Sequence, residues 1–289
     1  YRDDVTLPST PARTLCTTGT VFRGSDGSVR MFSKRFRDSD AAVLIQFRLA
    51  ECLFEQAKEH RKLKRQERSS ESIAEGKRIL EEALKNYPDS IHVAQGEYLL
   101  ANLYQELATE KKDAKDMAGA TPLYTEALAR FSSILSTWPD SPFAARSQYH
   151  KALCLEMLGD YPRASEEYVK MTYLYPESEL VGDATIRLAT YYYKEAKRYD
   201  ISARIYENFQ RRFPTHEKAA RALFMSGQCY YKQGDTDQEE YELKAGKNNV
   251  PICASAKRMY ALAVKAFAGV ADKYQETATP QMRAQALYW

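Results

Sequence analysis

The cysteines and histidines are the residues of this chain whose types could carry out nucleophilic or metal chemistry. There are five cysteines and four histidines in 289 residues. Cys52, Cys154 and Cys229 each stand two positions after a small residue of a recurring pattern described below. They therefore occupy equivalent inward positions, too far apart for a disulfide, whose Cα atoms lie within about 7 Å of each other. We interpret them as reduced thiols that fill the core.

The histidines do not form a metal-binding pattern. They are His60, His92, His150 and His216. His216-Glu217 lacks the second histidine, four residues after the first, that a zinc protease requires. No serine or cysteine has a general base at a recognisable spacing. The sequence therefore predicts no catalytic residue, no metal site and no cofactor, and we expect that the chain is not an enzyme.

Two features near the N-terminus are weak matches to functional motifs. The glycine- and serine-rich segment 24–28 is not followed by the Gly-Lys-Ser/Thr of a phosphate-binding loop, so it is better interpreted as a turn. Cys16 has neither a preceding apolar run nor small residues before it, so it does not match a lipoprotein cleavage site. The chain opens at Tyr1 without a methionine, and we expect it to be a processed or trimmed piece.

The composition is that of an ordinary water-exposed protein and excludes some functions. There are 42 Lys and Arg against 39 Asp and Glu, for a net charge of +3, with 44% apolar residues. This balance does not favour nucleic acid or a membrane surface as a partner. No apolar run reaches the roughly 18–20 residues of a transmembrane helix. The unusual feature of the composition is its content of 21 tyrosines.

Four segments of the chain end in an aromatic residue followed by proline. They are Tyr87-Pro88, Trp138-Pro139, Tyr175-Pro176 and Phe213-Pro214. The prolines are 51, 37 and 38 residues apart. Because proline disfavours a helical conformation of the residue before it, each pair predicts the end of a helix.

Small and large residues recur at fixed distances from these prolines. Thirteen residues after them stand Ala101, Ala152, Ala189 and Gly227, and eight before them stand Leu80, Phe131, Tyr168 and Tyr206. Other residues that recur at spacings of three and four from these positions lie on the same helical face. Each unit is therefore predicted to be two antiparallel helices that share a seam of small and large residues.

The pattern divides the chain into an arm and an array of repeats. We predict about five helix pairs over residues 39–289, with the array continuing past Trp289. Residues 1–38 show no helical period and are predicted to be an irregular arm; a hairpin around segment 24–27 is the alternative. Gly159-Asp160 and Gly234-Asp235 are predicted as turns between paired helices.

Three units are longer than the compact one at Ala152 to Ala164. The distances from Ala50 to Gly76 and from Ala101 to Ala127 are both 26 residues, against 12 in the compact unit. The two equal additions predict about two extra turns on each helix. A third addition, around residues 234–252, is predicted to include a loop.

These repeats resemble the tetratricopeptide repeat. The first three aromatic-Pro pairs are each followed by an acid and a serine, namely Asp89-Ser90, Asp140-Ser141 and Glu177-Ser178. This aromatic-Pro-acid-Ser junction resembles the variant found in bacterial outer-membrane assembly lipoproteins and in the Tol–Pal system coordinator. The resemblance implies an all-α, right-handed superhelical solenoid whose first helices line an inner groove. It also implies the bacterial periplasm or envelope, with the cytoplasm as the alternative, since reduced core thiols suit both.

The groove is the first predicted partner site. Tyr193 and Tyr231 fall one place after a core position, where an exposed ring can anchor a bound segment. The polar residues predicted on the same face are Asn102, Arg146, Arg187, Arg221 and Gln228. The Lys and Asn clamp with which some members of this family hold a terminal carboxylate is absent here.

A basic run in the first insertion is the second predicted partner site. It has six basic residues between Lys58 and Arg68, of which Arg61, Lys62, Lys64 and Arg65 are the candidates for contact with an acidic partner. The alternative is a solvated extension of the helix pair. No aromatic residues interleave with these charges as a nucleic-acid surface would need.

The residues and the resemblance together favour a non-enzymatic scaffold or adaptor that binds protein subunits or peptide segments, with self-association as a further option. The alternative is a regulatory or substrate-docking module of a larger enzyme whose catalytic domain lies outside residues 1–289. The complete reading frame would distinguish the two hypotheses.

Overall fold

The computed structural model describes residues 21–23, 29–31, 40–247, 250–274 and 278–288. These residues form two short strands followed by eleven helices. The strands are β1 (Val21–Arg23) and β2 (Val29–Met31), and they pair antiparallel with Phe22 opposite Arg30. Cys16 and the segment 24–28 lie outside the described residues, and the boundary between residues 38 and 39 stays a prediction.

The helices follow one another in consecutive pairs. They are α1 (Asp40–Lys62), α2 (Gln66–Asn86), α3 (Val93–Asp113), α4 (Met117–Thr137), α5 (Ala144–Met157), α6 (Tyr161–Leu174), α7 (Val181–Lys194), α8 (Tyr199–Arg212), α9 (Ala219–Ala245), α10 (Ala254–Lys273) and α11 (Pro280–Tyr288). The predicted all-α fold of paired helices is therefore confirmed over the described residues.

The aromatic-proline pairs end the second helices, as predicted. Helices α2, α4, α6 and α8 each stop one residue before the aromatic. At Tyr87 and Tyr175, for example, φ is near −130° and ψ is 58° and 54°, outside the helical region. The following proline explains this, because its ring clashes with a helical residue before it.

The seam of small and large residues is the core of each helix pair. Ala101, Ala152 and Ala189 are fully buried, and so are Leu80 and Phe131. The small side chains let the paired helix approach closely, and the large ones fill the remaining space, each contributing roughly 1.5–3 kcal/mol through its burial.

The two equal insertions lengthen helices, as predicted. Helices α1 to α4 have 21 to 23 residues, whereas α5 to α8 have 14 each. Seven added residues are about two turns. The extended ends are joined by ion pairs between α1 and α3, namely Lys58 with Glu106 at 3.1 Å and Arg61 with Glu110.

The turn predicted at Gly234-Asp235 is wrong. Gly159 does lie in a turn, with φ of +82°, but Gly234 lies inside α9, which continues to Ala245. A Cβ atom on Gly234 would lie 2.6 Å from the ring of Tyr260 on α10. The glycine is therefore explained by close helix packing rather than by a turn, and the loop of this insertion begins only at Gly246, which has φ of +63°.

The chain divides into two compact units, residues 1–147 and 148–289. In the first, a core cluster surrounds Phe47 and Leu80. In the second, another surrounds Phe209, Phe267 and Val270. The sites described below each lie within one unit.

Candidate functional site

The second unit contains a cavity of about 420 Å³. Its walls come from first helices α5, α7 and α9 and from second helices α6 and α8. Three of the predicted groove residues line it, namely Arg187, Tyr193 and Arg221. The repeat pattern brings them together because each lies on the first helix of its pair, on the side that lines the cavity.

A hydrogen-bonded network forms part of the cavity wall. Arg187 donates through Nε to the hydroxyl of Tyr149 at 3.1 Å and through Nη1 to the carboxylate of Glu156 at 2.9 Å. Tyr168 donates its hydroxyl to the same carboxylate at 2.7 Å. The three bonds hold the guanidinium and the carboxylate in fixed positions, since both are only partly exposed to solvent.

Burial stabilises the neutral form of the tyrosines in this wall. It raises the pKa of Tyr168 far above the usual range, and the negative charge of Glu156 raises it further while Arg187 opposes the change. Burial likewise raises the pKa of Tyr206 to about 12, partly offset by its hydrogen bond with Thr190. A phenol is already neutral at physiological pH, so burial only widens that margin, and both side chains can act as hydrogen-bond donors.

A second ion pair and further tyrosines complete the cavity. Lys218, the residue that precedes α9, contacts Asp183 on α7 at 2.5 Å, and both line the cavity. Tyr193 packs edge-on against Tyr199 with ring centroids 5.5 Å apart, and burial raises its pKa. Tyr191, its near neighbour, also lines the cavity.

The other predicted groove residues lie elsewhere. Asn102 is hydrogen bonded to Tyr98 in the first unit, and the charge of Arg146 acts on the same phenol. Neither Gln228 nor Tyr231 lines the cavity of the second unit. Tyr231 instead packs against Tyr260 on α10, with centroids 5.6 Å apart, because α9 extends past Gly234 and α10 packs alongside it.

Several cavity residues were not predicted from the sequence. They are Tyr191, Lys194 and Lys218, together with the acids Glu156 and Asp183. Glu156 pairs with Arg187, and Asp183 pairs with Lys218. A signal for the ion pairs does exist. Glu156 precedes Arg187 by 31 residues and Asp183 precedes Lys218 by 35, so opposite charges recur at a little less than one repeat length.

The basic insertion is partly neutralised within the first unit. Arg61 pairs with Glu110, and Lys62 pairs with Glu59 at 2.7 Å. Lys64 lies in the turn before α2, and Arg65 stands between Lys64 and the start of α2. Both side chains are exposed. Among the residues that the structure describes, neither of these two makes an ion pair, so both remain available to a partner.

The thiols and histidines provide no evidence for catalysis. Burial raises the pKa of Cys154 and of Cys229 to about 12. In Cys229 the hydrogen bond with Ser202 partly opposes this rise. Neither residue is therefore a thiolate at neutral pH. In the described part of the chain no cluster of three or more His, Cys, Asp or Glu residues could hold a metal ion. Across the same residues, no helix has the length and apolar content needed to span a membrane.

The paired helices and their aromatic-proline junctions are those of the tetratricopeptide-repeat fold. Two family models described as "Tetratricopeptide repeat" match residues 45–90 and 106–179. A third, described as "Outer membrane lipoprotein", matches residues 145–278, which include every residue that lines the cavity. The resemblance predicted from the sequence, to tetratricopeptide repeats and to the outer-membrane lipoprotein variant, is confirmed, and proteins of this repeat class bind other proteins.

Solved structures with these repeats are also similar. Tetratricopeptide-like repeats of a kinesin light chain from Podospora anserina match with 13% identity and a TM-score of 0.46, covering 80% of this chain and 98% of that one. A tetratricopeptide repeat protein from Parabacteroides merdae matches with 13% identity and a TM-score of 0.31, covering 83% and 97%. No curated protein matches the chain.

Proposed function

We propose that this chain is a non-enzymatic scaffold or adaptor subunit of a cell-envelope assembly, and that the cavity of its second unit holds a segment of a partner protein. The observation that carries the proposal is the convergence of Arg187, Tyr193 and Arg221 on one cavity of about 420 Å³. A volume of this size is typical of binding pockets, and tyrosine and arginine are the residues that most often dominate binding energy at interfaces.

The envelope setting is supported by the family match. The outer membrane lipoprotein model covers residues 145–278, the segment that builds the cavity. The buried, protonated thiols fit a packing role and supply no nucleophile. Both points favour an assembly role over catalysis.

Site-specific photo-crosslinking in cells tests this proposal. A photoreactive amino acid at position 193 should form a crosslink of defined mass with one partner, recovered in the envelope fraction. The matched control is position 173, because Tyr173 is also aromatic but is 80% exposed and does not line the cavity. The same crosslinks from both positions, or none from position 193, would contradict the proposal.

We further propose the basic insertion as a second contact for an acidic partner, carried by Lys64 and Arg65. Reversing both charges should weaken partner binding and leave stability unchanged, because neither makes an ion pair among the described residues. Reversing Arg61, by contrast, should lower stability, because Arg61 links α1 to Glu110 on α3. Full partner binding after the Lys64→Glu/Arg65→Glu change would exclude this surface.

A further inference from the structure

The charged side chains around the cavity of the second unit are not balanced within the chain. The cations that line it are Arg187, Lys194, Lys218 and Arg221, and the acids are Glu156, Asp183 and Glu195. The formal sum of four cations and three acids is +1. The cavity therefore carries one positive charge that its own lining acids do not match.

The unmatched charge belongs to cations that have no ion pair. Arg187 is bonded to Glu156 and Lys218 to Asp183. Lys194 on α7 and Arg221 on α9 are both exposed, and within the described ranges neither makes an ion pair. Lys194, at the end of α7, and Arg221, in the first turn of α9, thus line the same cavity without an ion-pair partner among the described residues.

The already paired Arg187 also has donor capacity left. Its Nε donates to Tyr149 and its Nη1 to Glu156, while no hydrogen bond from Nη2 is formed to the described residues. A guanidinium offers five N–H donors, and an oxygen anion is their preferred acceptor. The fixed pair of Arg187 and Glu156 therefore adds a positioned donor to the two free cations.

Aromatic and apolar side chains line the rest of the cavity. Tyr161, Tyr191 and Tyr193 are partly exposed and border the same space as Ile186 and Met225. Rings of this kind bind an apolar or aromatic side chain while their hydroxyls stay hydrated. Positively charged and apolar surfaces thus lie side by side in the cavity.

We infer that the segment held by this cavity carries a single acidic side chain, Asp or Glu, next to an aromatic or aliphatic one. The inference rests on the proposed function, since it specifies the chemistry of the segment that the cavity holds. One carboxylate matches the formal charge of +1, and the neighbouring side chain would lie against the tyrosines. A phosphorylated side chain would bring about two negative charges and would leave one unmatched.

Selection of a displayed random peptide library on the full chain tests this inference. The wild-type protein should enrich peptides with an acid next to an aromatic or aliphatic residue. Binding of one enriched peptide, measured by fluorescence anisotropy, should fall about tenfold in the double variant Lys194→Glu/Arg221→Glu, because the two reversals change the formal charge of the cavity lining from +1 to −3 and replace attraction of the acid by repulsion. It should tighten in Glu195→Gln, which removes the one lining acid that has no ion pair in the described chain.

The matched control carries the same charge changes away from the cavity. Arg211→Glu/Lys244→Glu alters two exposed cations of the same unit that do not line the cavity, and it should change binding less than about twofold. Circular dichroism confirms that each variant is folded. An equal loss in the control and in the cavity variant would show that only the overall charge matters, and would overturn the inference.

The outcomes separate this inference from the function on which it rests. If position 193 crosslinks a partner but the selected peptides show no acidic enrichment, the inference about the segment is wrong and the proposed function stands. If position 193 captures no partner, the proposed function fails whatever the library returns. A library that yields no peptide sensitive to the cavity variant also overturns the inference.

Discussion

At the scale of single residues, Glu167 shows how this protein accommodates a buried charge. Its carboxylate lies on α6 at 7% exposure and accepts hydrogen bonds from Gln148 at 2.7 Å and Lys170 at 2.8 Å, with Lys151 at 3.2 Å. Burial alone would raise its pKa, but the hydrogen bonds from Lys170 and Gln148 and the charge of Lys151 outweigh burial and lower the pKa overall. The charged form is thus the one that the fold favours.

This arrangement predicts a pH-dependent loss of stability in Glu167→Gln. Since the folded pKa lies below the ordinary value of 4.5, the stabilisation is present above that pH and is lost as pH falls through the folded pKa. We expect the variant to be less stable than wild type by about 1–2 kcal/mol at pH 7 and nearly equal to it once the pH is well below the folded pKa. Urea unfolding followed by circular dichroism at both pH values measures the difference.

The neighbouring Glu166 provides the control. It is exposed on the same helix, so Glu166→Gln should change the free energy of unfolding by less than about 0.5 kcal/mol at either pH. A deficit in Glu167→Gln that is the same at pH 7 and well below the folded pKa would mean that side-chain packing, not the carboxylate charge, explains the effect.

At the scale of helices, the turns within the pairs hold lysine in a conformation that favours glycine. Lys64, Lys115 and Lys197 have φ values of 57°, 63° and 51°, and each lies in the connection between two paired helices. The turn between α5 and α6 has Gly159 at φ of +82°. A Cβ atom in this region meets the backbone carbonyl, at a cost of roughly 1 kcal/mol.

Replacing Lys115 with glycine should therefore stabilise the protein. We expect a gain of about 0.5–1 kcal/mol in the free energy of unfolding, because relief of the left-handed strain exceeds the added entropy of the unfolded chain. The measurement is urea unfolding at neutral pH. Lys112→Gly, in the last turn of helix α3, should show the opposite sign with a loss of up to about 1 kcal/mol, and a loss in both variants would contradict the argument.

Helix ends and lengths were predictable because they depend on local chemistry. Proline after an aromatic residue ends a helix wherever the pair occurs, and the two equal insertions could add only whole turns without disturbing the seam. Gly234-Asp235 was misread because a glycine serves both turns and close helix contacts. What identifies Gly234 as a helix-contact glycine is the ring of Tyr260 on α10, 26 residues later. The local sequence around Gly234 gives no sign of that contact.

The candidate site was predictable only in part, for a similar reason. Arg187, Tyr193 and Arg221 were found because the repeat assigns a face to each first helix. Glu156 and Asp183 were missed because their roles depend on how neighbouring helices are rotated and offset. Tyr231 has the same local pattern as Tyr193, but the extension of α9 and the packing of Tyr260 place its ring against α10.

At the scale of the whole molecule, the repeat organisation implies that stability is local. Each pair in an array of this kind is stabilised mainly by its neighbours, so the free energy of unfolding is a sum of unit and interface contributions. The core clusters are consistent with this, because the one around Phe47 and the one around Phe267 share no residue. A large defect in one cluster should thus remain near its origin.

Hydrogen exchange of the variant Phe267→Ala tests this organisation. Phe267 is 2% exposed on α10 and packs against Phe224 with ring centroids 5.4 Å apart, so its truncation should cost about 3–5 kcal/mol. We expect amide protection to fall most in α9 and α10 and to be retained in α1 to α4. The reciprocal variant Phe131→Ala, in the fully buried position of α4, should show the reverse distribution. Equal loss of protection along the whole chain in both variants would mean that the helices unfold as one cooperative unit, and local stability would then be the wrong description of this molecule.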